Sequence, residues 1–313
     1  MKRLFAPLLG LAVCCASARS HPGNLAAQEW DVDSQGMSIR VWSYGGAPGT
    51  PVLLLIHGGP GLSHDYFAPL ERLATPRLRV VTYDQRNVGK SGRLPRREGT
   101  LDPAGFTLAK YVADLEAVIA SLKSPRVHLL GHSWGGMIAQ AYVAAHPDAL
   151  ASLSLVSAIP PTAPGFQAGI SRMQQRVAEL QKVGLIPEKT PPPRGEDCSA
   201  SVAAVVPAYF ADPRFPAPPE LRATTCHAGI GEATGQQLNA FDYREALGRF
   251  KAPALVFDGK GDPFGLDWAT ESAAALTGTK VELVTPDACG HFPWAECPQA
   301  FYAAVETILG ADR

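Results

Sequence analysis

The chain has 313 residues, 46% of them hydrophobic and 18% charged, with a net charge of −1. That is the make-up of a globular protein with a real core, long enough for one large domain or a domain carrying a sizeable insertion. Charges of both signs are scattered along it, which excludes the clustered basic footprint of a nucleic-acid binder.

The first residues read as a targeting leader over positions 1–18. Lys2 and Arg3 are followed by an apolar run and by the small residues Ala16-Ser17-Ala18, a cleavage signature. The run is about a dozen residues against ~20 for a spanning helix, so stable membrane insertion is not expected. The expectation is a secreted or periplasmic protein. Cys14 and Cys15 leave a lipoprotein as the alternative, although Val13 is a poor match to the small residue such processing prefers. Beyond the leader stand Cys198, Cys226, Cys289 and Cys297. An even number in an oxidising compartment points to disulfides. Their order suggests Cys198–Cys226 and Cys289–Cys297, while the sequence leaves other connectivities open. No CxxC spacing supports zinc.

In chain order, residues 28–43 read as two strands joined at Ser34-Gln35-Gly36. Residues 52–56 and 79–83 are continuous apolar runs, as strands buried on both faces should be. Leu108, Val112, Leu115, Ile119 and Leu122 recur at helical spacing and predict a helix over 107–122. A short strand at 127–130 runs into glycines and a helix over 136–145, and 153–156 is the next strand. This alternation predicts a parallel sheet covered by helices. It stops over residues 160–248, which are rich in Pro and Ala and contain one clear helix, with Ile170, Met173, Val177 and Leu180 on a stripe. Residues 187–219 read as irregular connections between short helices. Aromatics such as Tyr209, Phe210, Phe215, Phe241 and Tyr243 argue for an inserted lid over a disordered linker. Alternation resumes with a strand at 254–257, a helix near 266–276, a strand at 281–284 and a helix over 298–309. The expected organisation is a leader (1–18), a core (19–159 and 249–313) and a helical lid (160–248).

The strongest chemical signal is Gly131-His132-Ser133-Trp134-Gly135, between a strand and a helix. A nucleophile on a sharp turn there needs small neighbours, which is the content of the G-x-S-x-G elbow. A serine needs a base, and the base an orienting acid, in the chain order Ser, Asp or Glu, His. Asp262 and His291 meet that order in loops beyond the ends of the strands at 254–257 and 281–284, where sites of open α/β sheets lie. Asp258 and Asp287 are the competing acids. For the oxyanion, one expected donor is the amide of Trp134. The other comes from His57-Gly58-Gly59-Pro60-Gly61, with Gly59 preferred and Gly58 the alternative. Gly89-Lys90-Ser91 mimics the end of a P-loop, but Asp84 stands where that motif needs glycine.

These motifs resemble the proline iminopeptidase family of α/β-hydrolase fold serine hydrolases. The resemblance rests on His57-Gly-Gly-Pro-Gly61, Tyr83-Asp84-Gln85-Arg86-Asn87-Val88-Gly89-Lys90-Ser91, Gly131-His-Ser-Trp-Gly-Gly136, Gly261-Asp262 and Gly290-His291-Phe-Pro-Trp-Ala-Glu296, and it spans about two thirds of the chain. It implies an α/β-hydrolase fold, a mostly parallel twisted sheet flanked by helices with an inserted helical lid. It also implies release of an N-terminal proline or other small residue from peptides. Two departures stand out: Asn87 replaces a frequent glycine, and Pro263 takes the place of an acid that in some relatives helps hold the substrate's amine. Among the lid acids Glu179, Glu196, Glu220 and Glu232, Glu232 is the candidate for that amine. The expected reaction runs through an acyl-enzyme on a small peptide, with a carboxylesterase as the alternative, and calls for no metal or organic cofactor.

Overall fold

The computed structural model describes residues 27–312, so the leader read over 1–18 lies outside the described residues. Strands β1 (Gln28–Ser34) and β2 (Met37–Gly45) form an antiparallel hairpin. Its turn is made by Gln35 and Gly36, both at positive φ, as a tight two-residue hairpin requires. The other strands of the main sheet are β3 (Val52–Ile56), β4 (Arg79–Tyr83), β5 (Val127–His132), β6 (Ser152–Val156), β7 (Ala254–Phe257) and β8 (Val281–Val284), and Arg96–Arg97 pairs with Thr100–Leu101 in a small separate ribbon. The eight strands of the main sheet run in the order β1-β2-β4-β3-β5-β6-β7-β8. It is antiparallel at β1-β2-β4 and parallel from β4 onward.

The helices follow from capping and periodicity. In α1 (Leu108–Leu122), Thr107 caps the start by accepting from the Lys110 amide, and Tyr111, Leu115, Val118 and Leu122 form the buried stripe. Next, α2 (Trp134–Ala145) begins directly after Ser133, two residues before the expected start at 136. Between β6 and β7 lie α3 (Ala163–Lys182), α4 (Ser199–Val205), α5 (Pro219–Ala223), α6 (Ile230–Gly235) and α7 (Arg244–Gly248). The short α4 and α5 break the stretch read as irregular. Finally, α8 (Asp267–Ala275), α9 (Pro293–Glu296) and α10 (Pro298–Leu309) complete the chain. Both anticipated cysteine pairs stand at disulfide distance, with Cα atoms 5.0 Å apart in Cys198–Cys226 and 5.6 Å in Cys289–Cys297.

The sheet is buried on both faces because side chains alternate along each strand. Val52, Leu54 and Ile56 pack with α1 and α2, whereas Leu53 and Leu55 face the layer containing Phe301 and Val305 of α10. Every strand from β3 to β7 is fully buried.

Each polar residue of the Asp84-Gln85-Arg86-Asn87 segment fastens a different neighbour. Arg86 meets Asp114 of α1 with two bonds of 2.7 Å and reaches the Gly105 and Lys110 carbonyls at 2.8 and 3.1 Å. Asn87, where relatives often have glycine, sits at φ 67°. Asparagine is among the few side chains that tolerate this left-handed region, so the departure keeps the turn. The Arg86 and Asp114 side chains are only 4% and 1% exposed. Removing one partner strands a buried charge, so Arg86→Met should lower unfolding free energy by about 3–5 kcal/mol in denaturant titration. A loss under ~1 kcal/mol would show that the pair is not what ties this loop to α1.

Candidate active site

The turn from β5 into α2 places Ser133 at φ 54°, ψ −119°, a conformation L residues avoid and that persists only where its surroundings impose it. Its amide donates to the Val156 carbonyl at 3.1 Å, and its carbonyl accepts from Gly136 and Ile159. The turn leaves no room for side chains alongside. A Cβ on Gly135 would fall 2.0 Å from the Ile56 carbonyl, and one on Gly131 2.5 Å from the Gly135 carbonyl.

His291 donates from Nδ1 to Asp262 Oδ2 at 2.6 Å, and the other Asp262 oxygen accepts from the Phe264 amide at 2.9 Å. Both side chains are buried. Of the competing acids, Asp287 is an exposed partner of Lys260. Asp258 is buried beside Asp262 and accepts from Ser157 Oγ at 3.2 Å. Burial and the adjacent Asp262 charge push the Asp258 carboxyl well above its usual range, and it is Asp262 that bonds the histidine.

The loop after β3 is braced by side chains. The Gly58 amide donates to Tyr66 Oη. Tyr66 Oη lies 3.0 Å from His132 Nδ1, and His132 Nε2 lies 2.8 Å from the His291 carbonyl. A carbonyl can only accept, so His132 must carry its proton on Nε2 and accept at Nδ1. Burial, then the nearby His291, drives the His132 pKa far down and keeps it neutral. Gln85 adds a second brace, donating to the His57 carbonyl at 2.6 Å and accepting from Trp134 Nε1 at 3.0 Å. The Gly58 amide is thereby engaged, whereas the amides of Gly59 and Trp134 make no hydrogen bond among the described residues.

Two cavities meet at Ser133 and the Gly59-Pro60 turn. One, of about 280 Å³, is walled by Ile159, Phe166, Ile170, Leu238, Phe264 and Trp268, with Gln167 the one polar side chain besides Ser133. The other, of about 200 Å³, holds Tyr66, His132, Tyr209 and His291 among apolar side chains. Among the described residues no carboxylate lines either cavity. Glu232 is exposed, and its helix α6 meets the larger cavity through Gly231 and Gly235. Glu196 is paired with Arg96 and Glu179 is exposed. The structure thus brings Ser133, Asp262, His291, Gly58, Gly59 and Trp134 together and leaves Glu232 outside, because the residues by which α6 lines the cavity are Gly231 and Gly235.

Sequence reasoning missed Tyr66, His132, Tyr209 and Glu296. The segment carrying Tyr209 lies over His291, whose amide donates to the Tyr209 carbonyl at 2.9 Å. Arg176 takes the Ala208 carbonyl at 2.9 Å and the Phe210 carbonyl at 2.5 Å. Glu296 accepts from the Ala211 and Gly290 amides, both at 2.8 Å. It therefore joins the insertion to the histidine loop. Glu296 and His132 stand inside recognisable motifs without a role, Tyr209 is legible only as one of the lid aromatics, and Tyr66 carries no local signal.

Residues 51–183 match the family model for the alpha/beta hydrolase fold. The chain is 30% identical over 263 residues to a proline iminopeptidase of Lactobacillus crispatus, covering 78% of this chain and 85% of that relative. A solved proline iminopeptidase of Mycobacterium smegmatis aligns with a TM-score of 0.63 at 22% identity, over 90% of this chain and 97% of that one. An esterase of Exiguobacterium antarcticum aligns at 0.62 and 20% identity, over 90% and 99%. At these identities the solved structures speak for the fold alone.

Burial raises the Glu296 carboxyl from 4.5 to about 7. A carboxyl with a raised folded-state pKa stabilises the fold most while protonated, and that contribution is lost as pH rises through the folded value. The melting-temperature advantage of wild type over Glu296→Gln should therefore be largest below about pH 4.5 and shrink to its floor above about pH 7. An advantage that grows with pH would contradict this.

Proposed function

Because the chain belongs to the proline iminopeptidase family of α/β hydrolases and is thereby a hydrolase, we propose that it works through an acyl-enzyme on Ser133, with His291 as base and Asp262 as orienting acid. The observation that carries this reading is the strained Ser133 turn sharing a cavity wall with His291, while His291 Nδ1 is held by Asp262 at 2.6 Å. His291 takes the hydroxyl proton as Ser133 Oγ attacks the carbonyl carbon, and Asp262 stabilises the imidazolium. The free amides of Gly59 and Trp134 receive the oxyanion, which supplies the largest single share of such catalysis. Gly58 serves the other side of that loop through Tyr66. Water then releases the acyl group.

For the substrate, the relatives support release of N-terminal proline or another small residue from short peptides. The cavity walled by Phe264, Trp268, Phe166 and Ile170 suits a small apolar ring. A second reading, hydrolysis of carboxylic esters, is favoured by one observation: neither cavity offers a carboxylate to a substrate ammonium, and an unpaired buried charge is costly. In either case the segment 160–248 acts as the lid that sets specificity. The two disulfides support a secreted or periplasmic setting.

Hydrolysis of proline p-nitroanilide, its N-acetyl derivative and p-nitrophenyl butyrate separates the two. Ser133→Ala should lower turnover of whichever is cleaved by on the order of a million-fold. Anilide cleavage lost on N-acetylation establishes the aminopeptidase, and ester cleavage alone the esterase. Activity that survives the substitution removes Ser133 from the mechanism.

A further inference from the structure

The two cavities beside Ser133 differ in one chemically decisive respect: His291 lies on the wall of only the smaller one. In acyl transfer the proton taken from the serine must reach the departing atom, so the leaving group has to lie on the histidine's side. We propose that the smaller cavity is a leaving-group site built for an uncharged, apolar leaving group, and that the larger one holds the acyl part. The assignment rests on the acyl-enzyme reading of Ser133.

One part of the wall of this site is apolar and comes from the insertion, beside Tyr66, His132 and His291 from the core. Val202 and Val205 of α4, then Val206, Tyr209 and Leu221, face Phe292 of the histidine loop. It is also held in place. The Cys198–Cys226 disulfide joins the residue before α4 to a residue on the cavity wall. The Cys198 amide donates to the Cys226 carbonyl, and the Cys226 amide to Ser199 Oγ, both at 3.1 Å. A bridge between Leu62 and Cys226, and the Ser63 amide donating to the Thr225 carbonyl at 3.0 Å, fasten this wall to the loop that carries Gly59. A wall fixed at both ends selects by shape and polarity and does not adapt to each ligand.

In the first step the Ser133 Oγ–carbon bond forms and the bond from carbon to the leaving atom breaks. The hydroxyl proton passes through His291 to that atom, so a neutral amine or alcohol departs. In the second step water gives a proton to His291 as its oxygen bonds the same carbon, the Ser133 Oγ–carbon bond breaks, Oγ takes that proton back and the carboxylic acid leaves. The apolar leaving group is either the residue after the scissile peptide bond or the alcohol of an ester. Both present the same surface to Val202, Val205, Val206 and Leu221.

The test holds the acyl group constant and varies the leaving group. One arm compares proline-leucine amide with proline-glycine amide, and the other compares butyl with methyl butyrate. The arm that turns over identifies the source. Wild type should prefer the larger apolar leaving group by about tenfold in kcat/KM. Val202→Asp should abolish that preference. The burst of p-nitrophenyl butyrate hydrolysis in wild type, where acylation outruns deacylation, reports the acyl-enzyme on which the comparison rests. Val202→Thr, nearly isosteric and more easily folded, should reduce the preference in the same direction. A preference unmoved by both variants, or moved instead by Phe264→Ala in the larger cavity, overturns the assignment. Absence of a burst with turnover surviving Ser133→Ala would instead sink the acyl-enzyme reading itself.

Discussion

The arrangement around Ser133 depends on a directed chain of hydrogen bonds through His132. The chain begins at the Gly58 amide, passes the Tyr66 hydroxyl and the His132 ring, and ends on the His291 carbonyl. Its direction is fixed at both ends, by an amide that can only donate and a carbonyl that can only accept. Burial keeps His132 neutral and Tyr66 protonated, so the chain has one proton arrangement. It links three segments far apart in sequence: the glycine loop after β3, the elbow after β5 and the histidine loop after β8. On the proposed reading, the oxyanion donors, nucleophile and base thereby hold their relative positions even though each sits on a separate loop, which is what preorganised catalysis requires.

The insertion meets this centre through polar bonds as well as aromatic contacts such as Tyr209 and Phe210 against Phe292. Within it Arg176 grips the segment around Tyr209 through carbonyls, and from the core Glu296 and His291 hold that segment through one amide and one carbonyl. Backbone groups there would otherwise be buried without partners, at a cost comparable to a lost hydrogen bond each. Glu296 serves both sides of the junction, since its second oxygen accepts from Gly290, beside the base. The substrate-facing walls and the catalytic loop thus share one carboxylate.

Much of this was legible in the sequence, and for definite reasons. Apolar runs such as residues 52–56 and 79–83 announce strands covered on both faces, and the glycine context of Ser133 announces the elbow. Asp262 is preferred over Asp258 because the latter still sits at the strand's end, and in the structure Asp262 meets His291 while Asp258 accepts from Ser157. What could not be read are contacts between distant segments. Tyr66 and His132 are 66 positions apart, and nothing local marks them as partners. The expectation for Glu232 illustrates the other limit. Composition put an acid in the right region, but which residues of a six-residue helix turn inward depends on packing, and here Ile230, Ala233 and Thr234 are buried while Gly231 and Gly235 line the cavity.

The remaining tension lies between kinship and cavity. Relatives named for removing N-terminal proline must accommodate an amine, and an ammonium in a wall of Phe, Trp, Ile and Leu loses its hydration without a partner. Two features bear on how this chain resolves it. Pro263 stands where some relatives carry an acid, and the acids of the insertion lie outside the cavity walls. The same apolar walls accept an uncharged acyl group without cost, and the mechanism proposed at Ser133 is indifferent to whether nitrogen or oxygen departs toward His291. The proposed centre therefore serves both chemistries, and a single charge on the acyl side, met or unmet by the insertion, separates them.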